Sequence, residues 1–392
     1  MVYLETSRGC PFSCGFCLSG RPSGVRAFDT KQAKRNLIQL AHTGAKTVKL
    51  VDRTFNCHPA RSRELIHFLL ESRESGAIPS TVCFHLEVAA DLFDRETIGL
   101  LRAAPAGLFQ LEIGIQSFRE ETLEAVGRKT DLDKVRKNVW LLREKNNIHL
   151  HLDLIAGLPG ESYESFGRSF DEAAALSPHM LQLGFLKLLH GSRLREQSGR
   201  YGIVFDPQPP YRVCRTTWID ERELAALEAC EDALDRLYNS GRFPSTWEYM
   251  RAAAGFTPFP FFSAIGGFIG PSAGMPLETY IGKILAFGGS LPGADREILR
   301  DHLVVDWLGA NRIGVLPVVL KRDDPLNGRM EKALERWNKD SAGVPGLGTR
   351  RAYGFGLLYG SGKTRVALAD YRLPKPVLGA YPLRIGGPEE FL

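Results

Sequence analysis

Over its first half the chain alternates short β-type runs with amphipathic helical ones, and that rhythm restricts it to a parallel sheet covered by helices. The β-type runs are Val2–Thr6, Thr47–Asp52, Thr81–Val88, Phe109–Gln116, His149–Ile155 and Leu181–Leu188. Helical patterns fill the gaps at Thr30–His42, Ala60–Ser75, Arg95–Ala103, Glu120–Val126, Leu132–Lys145 and Tyr163–Leu176. Several open after Asp or at Thr and close on Gly, which are suitable start and stop signals. Parallel neighbours need right-handed crossovers, and the helices supply them. Six units are too few to close an eight-stranded barrel. The expected fold is therefore α/β, a partial (β/α)6 TIM-like open barrel, with a C-terminal α+β or irregular domain behind it.

The strands carry a second pattern. In Thr81–Val88, Val82, Phe84, Leu86 and Val88 alternate with Cys83, His85 and Glu87. In Phe109–Gln116, Phe109, Leu111, Ile113 and Ile115 alternate with Gln110, Glu112 and Gln116. In His149–Ile155, Leu150, Leu152 and Leu154 alternate with His149, His151 and Asp153. Successive side chains point to opposite faces, so each strand has an apolar face for the helices and a polar face for the lumen. An ordinary barrel fills its lumen with branched aliphatics. Burying this many ionisable groups without partners is costly, so the lumen is expected to be wet or to hold a ligand. An antiparallel sheet with one face in water gives the same alternation. The intervening helices argue against it, because they demand parallel crossovers.

Composition narrows the class. The chain has 392 residues, 44% hydrophobic and 24% charged, which fits a globular protein of two or three domains. The 50 Lys and Arg exceed the 45 Asp and Glu by five, spread thinly, so nucleic acid is not an expected partner. The opening β-type run, followed at once by cysteines, does not read as a signal peptide. Seven cysteines, three of them within Cys10–Cys17, do not read as a secreted disulfide framework, and a cytoplasmic location is expected. Gly255–Leu277 carries no charge but contains Pro258, Pro260, Pro271 and Pro276. It reads as a buried or cavity-lining loop, and no membrane contact is expected.

The run Cys10-Pro-Phe-Ser-Cys14-Gly-Phe-Cys17 follows the first strand directly, with Arg8-Gly9 before it. Three thiolates on one short loop suit three irons of a cubane cluster, leaving the fourth iron for a small molecule. A structural zinc site wants four ligands, and Cys57-His58 offers the fourth, so a zinc-binding structural or interaction protein stays open as a rival.

The spacing of the three cysteines, Phe16 just before the third, and an open barrel behind them resemble the radical S-adenosylmethionine (SAM) superfamily, over roughly residues 2 to 200. The resemblance implies a four-iron four-sulfur cluster on Cys10, Cys14 and Cys17, with SAM chelated at the unique iron. It also implies reductive cleavage of SAM to methionine and a 5′-deoxyadenosyl radical. Glu112-Ile-Gly-Ile-Gln116-Ser117, Gly127-Arg128-Lys129 and Asp153-Leu-Ile-Ala-Gly157-Leu-Pro-Gly160-Glu161 resemble the branch of oxygen-independent coproporphyrinogen oxidase and the methylthiotransferases. By that resemblance Glu87, Glu112, Gln116, Arg128 and Asp153 bind the methionine carboxylate or the ribose hydroxyls, and Phe16 contributes to the adenine site. Arginine suits a carboxylate, and acids and amides suit a diol.

Val51-Asp52-Arg53-Thr54-Phe55-Asn56 departs from the Gly-rich turn usual after strand two. It is similar to uncharacterised members that also carry a cobalamin-binding domain, usually before the barrel. Because this chain opens on its first strand, three readings stay open: a truncated chain, a cobalamin module on a separate chain, or a protein that works without it. The cobalamin link implies methyl transfer to an unactivated carbon. Sulfur insertion or another tRNA modification is the alternative. Expected partners are a reductant such as flavodoxin or ferredoxin, an unidentified substrate and a cobalamin-binding domain.

Past residue 205 the signal thins. Tyr211–Trp218 reads as a strand, and Asp220–Ser240 as a helix capped by Asp220, with a domain junction near Tyr249. The expected organisation is a radical SAM core over 1–205, a strand–helix extension over 206–250 and an accessory domain over 251–392. Lys187 and His190 are candidate substrate contacts, and Cys57, Cys83, Cys214 and Cys230 are expected to be packed thiols.

Overall fold

The computed structural model describes residues 1–19, 24–310, 315–340, 352–373, 375–376 and 378–392. In the first part of the chain six parallel strands lie side by side in sequence order. They are β1 (Val2–Leu4), β2 (Thr47–Leu50), β3 (Cys83–Val88), β4 (Phe109–Gln116), β5 (His149–Ala156) and β6 (Met180–Phe185). Every neighbouring pair is parallel, and the order ends at β1 and β6, so the barrel is open as the rhythm predicts. Between the strands run α1 (Thr30–Ala41), α2 (Pro59–Glu74), α3 (Arg95–Ala103), α4 (Glu120–Ala125), α5 (Leu132–Lys145) and α6 (Tyr163–Ala175). Asp29, Asp94, Asp131 and Ser162 each accept a hydrogen bond from the amide three residues on, fixing where four of these helices begin. Each such cap is worth about 1 kcal/mol.

The apolar face of the sheet is the core. Leu50, Phe84, Leu86, Leu111, Ile113, Leu152 and Leu181 are all at most 1% exposed, as are Leu37, Leu69, Leu101, Val135 and Phe166 on the helices. Fully burying a side chain of this size contributes about 1.5–3 kcal/mol, so this face alone sets the register of the strands. Burial alternates along β4 residue by residue, and Gln110, Glu112, Gly114 and Gln116 form its other face.

At the β6 edge the chain passes through the short helix α7 (Arg193–Glu196) and doubles back. Leu188 N donates to Tyr211 O at 2.8 Å and Val213 N to Leu186 O at 2.9 Å, and Val213–Arg215 pairs antiparallel with Val204–Phe205. The strand expected over Tyr211–Trp218 is cut to Val213–Arg215. Thr216 ends it: its hydroxyl accepts from Trp218 N and Ile219 N and turns the chain.

Contacts divide the chain into two compact units, Met1–Leu227 and Glu228–Leu392. The division falls inside α8 (Glu221–Leu234), whose start is fixed by Asp220 Oδ1 accepting from Arg222 N and Glu223 N, both at 2.8 Å. No glycine, proline or charge break marks it. Tyr249, where composition places a junction, lies within α9 (Pro244–Ala254).

The second unit continues with α10 (Pro258–Ile269), α11 (Leu277–Gly288), α12 (Arg296–Ala310) and α13 (Pro325–Asp340). An antiparallel sheet of β7 (Tyr353–Leu358), β8 (Arg365–Asp370) and β9 (Leu383–Gly386) completes an α+β unit. The uncharged stretch Gly255–Leu277 is a helix over more than half its length, not the expected loop. Pro258 and Pro260 sit in the first turn of α10, where no intrahelical amide bond is lost, while Pro271 and Pro276 fall beyond its end. Phe259, Phe261, Phe262, Ile265 and Ile269 are buried, which accounts for the missing charge. No single helix among the described residues is long and apolar enough to cross a membrane. Only α9 and α10 taken together pass by length and composition, as a pair bent by 106°.

Beyond β5, Glu161 is 1% exposed, and its Oε1 accepts from Ser117 Oγ at 2.6 Å and Ser169 Oγ at 3.0 Å. This carboxyl ties the turn after β4 to α6. Burial pushes it up to about 7 from an ordinary 4.5. A raised carboxyl stabilises the fold fully below its unfolded value and loses that contribution as pH rises through the folded one. Glu161→Gln keeps an acceptor without the charge. Melting curves at acid and at alkaline pH should therefore show the variant gaining about 2–3 kcal/mol on the parent as pH rises through about 7. A constant difference would contradict the assignment.

Candidate active site

Placement of the cysteine loop begins with Asp52, just past β2. It is 1% exposed and accepts from Thr6 N at 2.6 Å, Thr6 Oγ1 at 2.5 Å and Ser7 Oγ at 2.8 Å. Arg61 on α2 donates to Thr6 O at 2.8 Å. The chain leaving β1 is thus stapled to β2 and α2 before the first cysteine. Gly9 then turns it with φ at +98°, and a Cβ there would strike the Gly24 carbonyl. At the far side Gly15 N donates to Val126 O at 2.7 Å, and Leu194 N to Gly15 O at 2.8 Å. Asn56 grips the end of β3 from the same side, donating to Ala89 O at 2.8 Å and accepting from Ala89 N at 3.0 Å. The departure at Val51–Asn56 is therefore a bracing segment.

Cys10, Cys14 and Cys17 line one cavity together with Phe16, Glu87, Glu112, Gln116, Arg128 and Asp153, so all nine site residues named from the sequence meet there. Thr54, Arg53, Phe12 and Gly114, which the sequence does not single out as ligands, line it too. Cys10 Sγ lies 3.3 Å from Thr54 Oγ1, and Ser19 N donates to Cys17 Sγ at 3.4 Å. Arg128 Nη1 donates to the buried Cys14 Sγ at 3.6 Å, its Nη2 donates to Gly114 O, and its guanidinium lies over the Phe12 ring. Its buried Nε has no partner among the described residues. Burial pushes the Cys14 thiol up, while the Arg128 charge works the other way. Gln116 ends β4 with φ at +76°, a left-handed conformation unusual for a non-glycine residue. Its side chain folds over Gly114, where a Cβ would collide with Gln116 Nε2.

A charged band links the acids of the cavity to side chains that do not line it. Lys49 Nζ lies 2.7 Å from Glu112 Oε2 and 3.3 Å from Glu87 Oε1, and His85 Nε2 reaches Glu112 Oε2 at 2.7 Å. Burial alone would raise the Glu112 carboxyl, but the His85 and Lys49 hydrogen bonds outweigh it and hold it at about 2. Burial acts against charge on Lys49 as well, and the Glu112 bond still leaves its ammonium raised. His151 Nε2 sits 2.9 Å from Asp153 Oδ1, close enough for an ion pair but off the line of a hydrogen bond. Burial pushes the Asp153 carboxyl up; His151 also goes up, because Asp153 beside it outweighs burial. His149, stacked on His179, is held at about 4 chiefly by burial. Lys49 is absent from the residues named from the sequence. Its signal is the same alternation, Lys49 between Val48 and Leu50, on a strand only four residues long.

Two candidate substrate contacts do not line this cavity. Lys187 pairs through its backbone with Arg212, and the His190 ring meets Tyr211 edge-on at 4.8 Å. Cys57 is half-buried and does not line it either. Among the described residues no three His, Cys, Asp or Glu side chains are grouped to hold a single metal ion. A cubane cluster asks for something else, one thiolate for each of three irons, and three cysteines set around one cavity fit that need.

An open (β/α)6 barrel with three loop thiols and a polar lumen has the donors for an iron–sulfur cluster beside a small-molecule ligand. Residues 4–173 match the Radical SAM superfamily, and this part of the chain is a radical SAM domain. The cofactors of that superfamily are a four-iron four-sulfur cluster and SAM. Residues 199–342 match a second family, described as a protein of unknown function (DUF4080). Over 242 residues the chain is 29% identical to the cobalamin-dependent radical SAM methyltransferase TokK of Streptomyces tokunonensis, covering 59% of this chain and 34% of that protein. Over 156 residues it is 29% identical to the oxygen-independent coproporphyrinogen III oxidase of Pseudomonas aeruginosa, covering 38% of this chain and 31% of that one. The radical SAM methyltransferase TsrM from Kitasatospora setae superposes with a TM-score of 0.45 at 19% identity, covering 54% of this chain and 42% of that one. The chain thus spans about a third of the length of these two curated relatives.

Removing the buried thiol tests the ligand set. Cys14→Ala, reconstituted without oxygen, should fall from about four irons per chain to below about one. Full iron and sulfide loading of the variant would refute Cys14 as a ligand.

Proposed function

We propose that Cys10, Cys14 and Cys17 hold a four-iron four-sulfur cluster, that SAM binds beside it in this cavity, and that the chain directs the resulting radical at a substrate. The observation that carries this reading is the meeting of three thiols with Phe16, Glu87, Glu112, Gln116, Arg128 and Asp153 around one cavity. When bound, the cluster supplies one electron, and SAM supplies a 5′-deoxyadenosyl radical able to take hydrogen from carbon. The protein's part is to bind and orient. Arg128, with its Nε unpartnered, faces the methionine carboxylate. Gln116 and Glu87 take the remaining polar atoms of the methionine moiety. Asp153 and Glu112 accept from the ribose hydroxyls, and Phe16 lies against the adenine.

The reaction outcome we infer is methyl transfer to an unactivated carbon, with cobalamin supplied by a separate domain or chain. The description of TokK as cobalamin-dependent supports it, as does the resemblance of Val51–Asn56 to members that also carry a cobalamin-binding domain. Residues 1–205 carry this chemistry, the segment that follows extends the sheet edge through Val213–Arg215, and the unit Glu228–Leu392 is an accessory domain. A flavodoxin or ferredoxin is the natural electron donor, and a reducing cytoplasm suits three free thiols. A tRNA substrate is the second reading, supported by a 25% match over 179 residues to the tRNA-2-methylthio-N(6)-dimethylallyladenosine synthase of Rickettsia bellii.

Anaerobic reconstitution followed by dithionite should yield a brown protein that forms 5′-deoxyadenosine. A colourless protein holding one zinc per chain would sink the proposal. Cell extract or bulk tRNA added to the reconstituted protein should raise 5′-deoxyadenosine formation where it contains the substrate, which separates the two outcomes. In the same preparation Asp153→Ala should keep its iron but bind SAM about tenfold more weakly, the loss of one charge-assisted hydrogen bond. Unchanged affinity would remove Asp153 from the site.

A further inference from the structure

The lumen holds more charge than the proposed ligand contacts require. Across β2, β3 and β4 the register sets Lys49 opposite His85 and Glu87 opposite Glu112. Like charges directly opposite on neighbouring strands repel, and partial burial adds to the cost. Lys49 Nζ relieves this from between them, 2.7 Å from Glu112 and 3.3 Å from Glu87. Both bonds to Glu112, from Lys49 and from His85, fall on Oε2. Glu87 and Glu112 line the cavity, whereas Lys49 and His85 do not. The cation stands behind the acids.

A purely structural ion pair has no need of that asymmetry, since apolar side chains of similar volume usually leave a fold as stable or more so. A binding site does need it. A carboxylate engaged through one oxygen by groups on its far side keeps the other oxygen fixed in direction and open to a ligand. We propose that Lys49, aided by His85, is a positioning residue that acts through Glu112, holding its carboxylate so that Oε1 accepts a hydroxyl of a nucleoside ligand in the cavity. This deepens the reading of the cavity as a SAM site and rests on it.

The groups facing Glu112 are Lys49 on β2, His85 and Glu87 on β3, and His151 and Asp153 on β5. Without Lys49, burial and the charges of Glu87 and Asp153 all drive Glu112 toward its neutral form, and only the two histidines oppose them. A protonated Glu112 turns a donor toward the ligand instead of an acceptor. Binding should then weaken as pH falls.

Equilibrium dialysis of labelled SAM against the reconstituted chain, from about pH 6 to about pH 8, reads this directly. The parent should bind with little pH dependence, and its failure to bind would overturn the SAM reading and this inference with it. Lys49→Met should keep its iron yet bind about tenfold more weakly at the acid end, recovering toward alkaline pH. In a Glu112→Gln background the same replacement of Lys49 should change nothing further. If Lys49→Met binds like the parent at every pH, or if its effect simply adds to that of Glu112→Gln, Lys49 has no such role. Should Lys49→Met fold poorly, Lys49→Gln removes the charge while keeping a polar end and must show the same acid-side loss. A pH-independent loss there would point to packing alone and overturn the proposal.

Discussion

The site depends first on one buried carboxylate. Asp52 takes three hydrogen bonds from Thr6 and Ser7, and through them the exit of β1 is fixed to the exit of β2. An acid this enclosed is tolerable only when its lone pairs are filled, and here backbone and hydroxyl donors fill them. Everything downstream inherits the geometry. The cysteine loop starts from a set point, Gly9 turns it, and contacts from Val126 and Leu194 hold Gly15 at the other side. Arg128 then links the loop to β4 by touching Cys14 and Gly114 at once.

The lumen shows a second economy of charge. Three acids at the cavity, Glu87, Glu112 and Asp153, are backed by Lys49, His85 and His151 rather than by aliphatic packing. Such a band contributes little to stability compared with the apolar face, where each buried side chain is worth about 1.5–3 kcal/mol. The division of labour follows the pleat. One face of every strand holds the fold together, and the other is left to chemistry.

That division is why so much is legible in the amino-acid sequence. A period of two with polar residues on one face marks the lumen, and helices between the strands fix the topology. The cysteine spacing and the segments around Gln116, Arg128 and Asp153 name residues that do meet at one cavity. Lys49 escapes because β2 is too short for alternation to stand out. The helix at Pro258–Ile269 escapes when proline is weighed as a breaker without regard to position, although its first-turn placement is compatible with a helix. The unit boundary within α8 leaves no trace because a continuous helix carries no compositional break. Long-range contacts such as Asp52 with Thr6 are invisible to periodicity altogether.

The fold of Gln116 over Gly114 bears on how this site is built. The two residues share one small volume, so any side chain at 114 must displace the amide at 116. Gln116 itself sits in a left-handed conformation that only a close fit sustains. A side chain at 114 would be met by turning that flexible amide aside, so the bare glycine is what lets Gln116 lie across its own strand and still line the cavity.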